Sequence, residues 1–308
     1  LTSKHVVSIS LGTSKRDKRS EVELLGQPFL IERRGTDGNF AEFERLFREL
    51  DGKVDAIGVG GADVYVVVDD RSYPWRQIER VAQSVTHTPV VDGSGLKHTL
   101  ERDTIEQLQR DGIVNFKGAK VLLVSGVDRF GMAQALEAAG AIVTYGDLMF
   151  GLGIPIPLKG YAKVRRLAKI ILPILTRLPQ TWVYPIGAQQ EKRKPQFESA
   201  FADADIIAGD WHLIRKALPD KIVGKTILTQ TVRQADLDML REMGAARVIV
   251  TTPIIGGETF ATNVMEACIV AALADPAKND GTKPQPLTET QYREALKALG
   301  WKPGVITL

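Results

Sequence analysis

In the stretch DGSGLKHTLERDT, residues 92–104, a lysine and an aspartate stand six residues apart, Lys97 and Asp103, with His98 between them and two glycines ahead. An amine and a carboxylate that converge on one hydroxyl are the parts of an acid–base site. Ser94 is placed to cap a helix whose buried side is Leu100, Ile105 and Leu108 and whose end is Asp111-Gly112. Lys97 then falls in the first turn, where the macrodipole disfavours a cation, so a carboxylate or a bound substrate is expected to hold it there. Pairing with Glu101 at i+4 is the simpler arrangement. Six residues of ideal helix separate Lys97 from Asp103 by about 9 Å along the axis and about 240° around it, so only a shared ligand or a broken first turn would join them.

A second constellation is KVLLVSGVDRFGMAQALEAAGAIVTYGDL, residues 120–148, which reads as strand, glycine turn, helix and strand. The apolar run Val121–Val124 ends at Gly126, Gly131 opens a helix with Met132, Leu136 and Ala139 at helical spacing, and Gly140 closes it. Asp147 follows the next strand, about twenty residues past the turn, where a carboxylate accepts hydrogen bonds from an adenosine ribose. This pattern points to NAD rather than NADP, contacted by Gly126, Asp128, Arg129, Phe130, Gly131 and Asp147. Asp128 stands where the fingerprint G-x-G-x-x-G has its middle glycine, and Arg129 beside it would neutralise that charge or bind a phosphate oxygen. The plainer alternative is a parallel βαβ crossover whose glycines only close a turn.

Ligands of doubly wound sheets bind outside the carboxyl ends of strands, which directs attention to Asp210 and to the segment from Thr252, assigned to the cofactor side. There two glycines precede a helix expected to start near Gly257, with Thr259, Asn263 and Glu266 in one sector and Phe260, Val264, Ala267 and Ala271 in another. Hydroxyls after the first strand, on Ser10, Thr13 and Ser14, suit a substrate carboxylate. The four histidines show no metal-ligand spacing, so no metal is expected.

These residues need an α/β frame of two domains, an N-terminal α/β domain and a Rossmann-like doubly wound parallel sheet. In residues 1–116, taken as the substrate domain, strands are expected at Val6–Ser10, Phe29–Glu32, Val54–Val59 and Val64–Val68, with helices at Asn39–Leu50 and Pro74–Val85. Residues 117–256 are the nucleotide-binding domain, with strands at Ala141–Tyr145, Asp205–Ala208, Thr226–Thr229 and Arg247–Thr251 alternating with helices. Residues 150–184 interrupt it as a basic, apolar, proline-rich insertion that Pro173 should break, more in keeping with a cover or subunit contact than with a membrane surface. In 257–308, helices should pack back across the cleft, with a polar linker at Asn279–Pro286 and a last helix from about Thr288 to Leu299.

The chain has 308 residues, 40 basic against 37 acidic, and one cysteine. That length buries roughly 75% of the unfolded surface. The near balance of charge argues against nucleic acid, and a single cysteine excludes an intrachain disulfide framework, so a cytoplasmic protein without a membrane span is expected. A homodimer is compatible with this composition.

Four strings carry a family likeness: ERRGTDG (Glu32–Gly38), VDGSGLKHTLER (Val91–Arg102), VDRFGMA (Val127–Ala133) and GIPIPL (Gly153–Leu158). With the two-domain layout, the chain resembles the shikimate/quinate dehydrogenase family, and within it the bacterial proteins labelled quinate 5-dehydrogenase, over most of its length. The resemblance implies an NAD-dependent oxidoreductase acting on a ring alcohol of a small hydroxylated carboxylate. It implies a catalytic lysine after an early strand, in a region matching Gly58–Asp70. That region contains no lysine, so Lys97 takes the role of assisting proton removal and Asp103 that of orienting the hydroxyl. It also implies carboxylate-holding hydroxyls at Ser10, Thr13 or Ser14 and a late-helix substrate contact at Thr262 or Asn263. The competing expectation, prompted by Asp128 and the missing lysine, is a ligand-binding or regulatory protein that kept the architecture and lost the hydride chemistry.

Overall fold

The computed structural model describes residues 3–69, 71–179, 193–255, 258–274 and 286–308. The chain is α/β, as expected, and carries two sheets. The first half forms β1 (Lys4–Ser10), β2 (Lys18–Leu24), β3 (Gln27–Gly35), α1 (Phe40–Leu50), β4 (Ala56–Gly60), the hairpin β5 (Tyr65–Val68) and β6 (Arg71–Pro74), α2 (Arg76–Ser84), β7 (Val90–Val91) and α3 (Ser94–Arg110). The sheet order is β2-β3-β1-β4-β7, parallel except for β2.

The central strand β1 is buried on both faces. Val7 and Ile9 meet Phe43, Phe47 and Ile78 of α1 and α2 on one side, while Val6 meets Leu96 and Leu100 of α3 on the other. Alternating burial into two cores is what a covered parallel sheet requires. The edge strand β2 was not anticipated, because its sequence KRSEVEL has a largely exposed, charged face. The run Val64–Val68, read as a strand, is one from Tyr65 on, and it belongs to the separate β5–β6 hairpin. Ser94 is the first helical residue of α3 and not its cap; Gly93, at φ 95°, makes the turn, a conformation that side chains rarely adopt.

The second half forms β8 (Lys120–Leu123), α4 (Phe130–Ala138), β9 (Ile142–Tyr145), β10 (Leu158–Lys159), α5 (Tyr161–Leu175), α6 (Glu198–Asp203), β11 (Ile206–Ala208), α7 (Trp211–Ala217), β12 (Thr226–Thr229), α8 (Gln234–Glu242), β13 (Arg247–Val250), the short β14 (Ile254–Ile255) and β15 (Glu258–Thr259), α9 (Thr262–Leu273), α10 (Glu289–Ala298) and β16 (Gly304–Thr307). The order β10-β9-β8-β11-β12-β13-β16 has five parallel strands flanked by antiparallel β10 and β16. Successive strands run outward in opposite directions from β8 and β11, which makes their carboxyl ends the topological switch point.

α3 joins the two halves: Leu96 and Leu100 belong to the core of the first sheet, Ile105 and Leu108 to that of the second. The chain's last part does cross back, but not as helices alone. α9 begins at Thr262, later than expected, and packs on β1 and β4, whereas β16 returns to pair with β13. Gly257 and most of the linker Asn279–Pro286 lie outside the described residues, as do residues 180–184 of the insertion. Within the insertion α5 runs through Pro173, which sits in its last turn. Ala168 and Leu172 hold that turn against the core containing Trp75, and this burial outweighs the lost N–H. α5 therefore covers the junction of the two halves. Among the described residues no helix is long and apolar enough to cross a membrane.

Candidate functional site

The carboxyl ends of both sheets open onto one cleft of about 510 Å³. β4 delivers the first functional side chain. At Gly60 a Cβ would stand 2.9 Å from Cβ of Ser10, so only glycine lets β4 approach β1 this closely, and the loop that follows carries Asp63. Lys97, in the first turn of α3, places Nζ 2.6 Å from Asp63 Oδ1 and 2.8 Å from Asp128 Oδ1. The three side chains are 10%, 13% and 9% exposed. The cation disfavoured by the helix dipole is thus held by two carboxylates, neither of them Glu101.

Burial pushes Asp63 up to about 7, with the Asp128 charge adding to it and Lys97 opposing. Burial acts downward on Lys97, but Asp128 and Asp63 outweigh it and hold the amine above its ordinary range. Lys97 is therefore a fixed charge, and Asp63 is the group that changes protonation near neutrality. Asp103 does not enter the cleft. It faces α10, with Oδ2 3.2 Å from Arg293 Nε, an exposed pair. Asp103→Ala should cost no more than about 0.5 kcal/mol in thermal unfolding and leave ligand affinity unchanged.

Arg129 is buried in an ion-pair network rather than presented to a phosphate. Its guanidinium donates to Glu101, which is fully buried, and lies 3.4 Å from Asp210 Oδ2. Burial pushes Glu101 up to about 7 against the pull of Arg129. Asp210 behaves oppositely: burial acts upward, but His212, Arg129 and the hydrogen bonds it accepts hold it at about 2. Those bonds come from the amides of His212 and Leu213 at the start of α7 and from Gln230 Nε2 at 2.9 Å. Opposite, His212 Nε2 lies 3.0 Å from Arg16 Nη1, a link between the two halves. Burial, with the Arg16 charge, lowers His212 to about 4, so the neutral ring accepts this bond.

The 126–131 turn does not fit the pyrophosphate of a dinucleotide. A Cβ on Gly126 would meet Tyr145 Cδ1 at 2.5 Å, and one on Gly131 the carbonyl oxygen of Lys97 at 3.0 Å, so both glycines serve packing. Asp128 is tied to Lys97. Asp147 Oδ1 accepts from the amide of Val127 at 2.7 Å, closing the turn instead of reaching toward a ribose. Burial pushes Asp147 up to about 6, opposed by the turn amides. Phe130 packs on Tyr161, ring centroids 4.8 Å apart. Thr252 is fully buried and donates to the carbonyl oxygen of Gln230, a structural role away from the cleft.

Of the substrate residues, Ser10, Thr262 and Asn263 line the cleft. Asn263 Nδ2 donates to Ser8 Oγ at 2.8 Å, and α9 lies so close to β4 that a Cβ on Gly58 would stand 3.0 Å from that nitrogen. Thr13 and Ser14 are turned to other work. Thr13 Oγ1 accepts from the Lys15 amide, and Ser14 Oγ donates to Asp37 at 2.7 Å. The polar sector of α9 is not solvent-exposed: Glu266 is buried, accepting from Tyr292 Oη at 2.6 Å and Gly95 N at 3.2 Å. Burial pushes Glu266 up to about 7, with Asp92 adding to it. Its folded pKa exceeds the unfolded value, so the fold binds the proton more tightly and stability falls as pH rises between the two. Glu266→Gln should therefore match wild type in urea unfolding at pH 4 and be the more stable at pH 8, by about 3 kcal/mol at most.

A family model described as Domain of unknown function (DUF8754) matches residues 95–308, and one described as Domain of unknown function (DUF8753) matches residues 5–92. The chain belongs to the DUF8754 family. Only Gly93 and Ser94, where α3 leaves the first sheet, lie between the two matches, so the family region begins within the helix that carries Lys97. No curated protein matches the sequence significantly. Among solved structures, the chain is similar to hetero-hexameric glutamate dehydrogenase from Thermus thermophilus, with a TM-score of 0.40 and 14% identity over 97% of this chain and 74% of that one. It is similar to a galactofuranose binding protein, with a TM-score of 0.37 and 14% identity over 97% and 100%. It is also similar to the NAD-dependent malic enzyme from Thermotoga maritima, with a TM-score of 0.35 and 12% identity over 96% and 84%. The functional reading of this family member rests on its own cleft.

Sequence reasoning missed Asp63, Glu101 as the partner of Arg129, and the Arg16–His212 link. Asp63 had a signal: it follows Gly60-Gly61 at a strand end, in the very region searched for a lysine. The other two join residues far apart in the chain, with no local mark.

Proposed function

We propose that the cleft binds a small hydroxylated carboxylate such as quinate, and that Asp63 accepts or returns a proton at one of its hydroxyls. The observation that carries this reading is the Asp63–Lys97–Asp128 cluster, nearly dry and set where the ends of both sheets meet. Lys97 keeps its charge, fixes the Asp63 carboxylate through a 2.6 Å hydrogen bond and stabilises negative charge that develops on a substrate oxygen. Asp128 balances the charge of Lys97. Ser10, Thr262 and Asn263 offer hydroxyl and amide groups to the rest of the ligand. The resemblance to quinate dehydrogenases favours an oxidoreductase form of this chemistry, whose hydride acceptor would have to bind elsewhere than the locked 126–131 turn.

The locked turn at Gly126–Gly131 favours a second reading, a metabolite-binding protein of dehydrogenase architecture. Calorimetric titration separates the two. Quinate binding together with NAD binding and turnover, the turnover lost in Asp63→Asn, supports the enzyme. Quinate binding without NAD binding supports the binding protein. Absence of saturable binding of both quinate and shikimate contradicts the first reading and leaves the binding-protein reading to be sought with other metabolites.

A further inference from the structure

Residues 148–190 contain six basic residues and no aspartate or glutamate. Of the eleven large apolar side chains exposed among the described residues, six fall in the same stretch, which makes it the most apolar part of the surface. They are Leu152, Ile154 and Ile156 in the loop before β10, Ile170 and Ile174 on α5, and Leu178 just after it. α5 runs unbroken through Pro173, so helical spacing places its side chains. Lys163, Arg166, Ile170 and Ile174 fall within about 80° of one another, opposite Val164, Ala168 and Leu172, which pack inward. Ile170 and Ile174 are accordingly 69% and 67% exposed. Leu152 shares an apolar wall with Leu167, Ile171 and Leu175, which sets its loop along the flank of α5 beside that stripe. Two of the cations are engaged: Lys169 Nζ lies 2.5 Å from Asp69 Oδ2 and Arg165 Nη1 3.9 Å from Asp69 Oδ1. Lys159, Lys163, Arg166 and Arg177 make no ion pair among the described residues. Exposed aliphatic side chains set among unneutralised cations fit a partner that is apolar within and anionic at its surface.

We propose that this face docks on the surface of an anionic phospholipid bilayer. The 152–157 loop and the Ile170–Ile174 stripe enter the acyl boundary, and Lys159, Lys163, Arg166 and Arg177 lie at the level of the phosphates. Charge argues against a second copy of the chain as the occupant, since a two-fold axis would set this acid-free face against itself, cation to cation. The exposed side chains are aliphatic, without the aromatic anchors that dominate protein–protein contacts. Ala168 and Leu172 hold the inner side of α5 in the core, so the helix lies along the membrane as part of the folded protein and does not span it. The proposal is independent of the proposed function: quinate affinity reads the cleft, and vesicle binding reads the outer side of α5.

Co-sedimentation of the full chain with vesicles tests it, using phosphatidylcholine alone and an equal mixture with phosphatidylglycerol. The protein should bind the mixed vesicles at least about tenfold more tightly than the neutral ones at low salt, and lose most of that advantage at about 1 M salt. Lys163→Glu with Arg166→Glu should weaken binding to the mixed vesicles at least about twentyfold. Ile170→Ser with Ile174→Ser should weaken it about tenfold, which attraction by net charge alone would not produce. Lys221→Glu with Lys297→Glu, the same change of charge at exposed positions on other elements, should leave it within about threefold of wild type. All these positions are exposed, so each variant should unfold in urea like wild type, which separates loss of binding from loss of fold. The proposal is overturned if the wild type does not bind the mixed vesicles, if it binds both compositions equally, or if the isoleucine pair binds as tightly as wild type. A homodimer in analytical ultracentrifugation that the isoleucine pair dissociates would also overturn it, because the face would then belong to a second copy.

Discussion

Replacing Lys97 with methionine is expected to destabilise the protein by about 3–5 kcal/mol at pH 8, because it leaves two buried carboxylates facing each other without their cation. Asp63 is already pushed up to about 7 in the fold, and removing Lys97 takes away an influence that lowers it. Its folded pKa then lies further above the unfolded value near 4. The folded state binds more protons than the unfolded state between those values, so stability falls as pH rises through that window. The deficit of Lys97→Met should therefore shrink as pH falls from 8 to 5, which urea unfolding at both pH values would show. A deficit independent of pH would mean that the loss is one of packing alone. Adding Asp63→Asn should restore much of the stability at pH 8, because the amide removes one of the two stranded charges.

Arg129→Met should be comparably severe, about 3–5 kcal/mol, for a related reason. Glu101 is fully buried, and burial pushes it up to about 7 even with Arg129 beside it. Without the guanidinium its charge keeps only the weaker pull of Lys97. Glu101→Gln combined with Arg129→Met should recover more than half of the loss in urea unfolding, since the amide removes the stranded charge while keeping its volume. Were Arg129 a phosphate-binding residue, as its place in the turn suggested, the single variant would unfold like wild type and lose anion affinity instead.

The strand–turn–helix–strand unit at residues 120–145 was legible because buried parallel strands are unbroken apolar runs and glycines mark the joints. What the glycines do was not legible. Close approach to a phosphate and close approach to a tyrosine ring or a helix backbone demand the same residue, and here Gly126 faces Tyr145 and Gly131 faces α3. A cation in a first helical turn needs an anion, and Lys97 has two. The partner that spacing along the helix offers is Glu101 at i+4, but the carboxylates come from the β4 loop and the 124–129 turn. The helical geometry that set Asp103 about 240° from Lys97 had already put it on another face, the one α10 covers. Side chains brought together by tertiary packing leave no periodic trace.

The measurement that bears most directly on the whole account is a crystal structure of the protein grown with quinate. The account predicts the ring in the 510 Å³ cleft, one hydroxyl within hydrogen-bond reach of both Asp63 and Lys97, and the carboxylate toward Ser10, Thr262 and Asn263. Quinate bound elsewhere, or a cleft that stays free of it at saturating concentration, would contradict it.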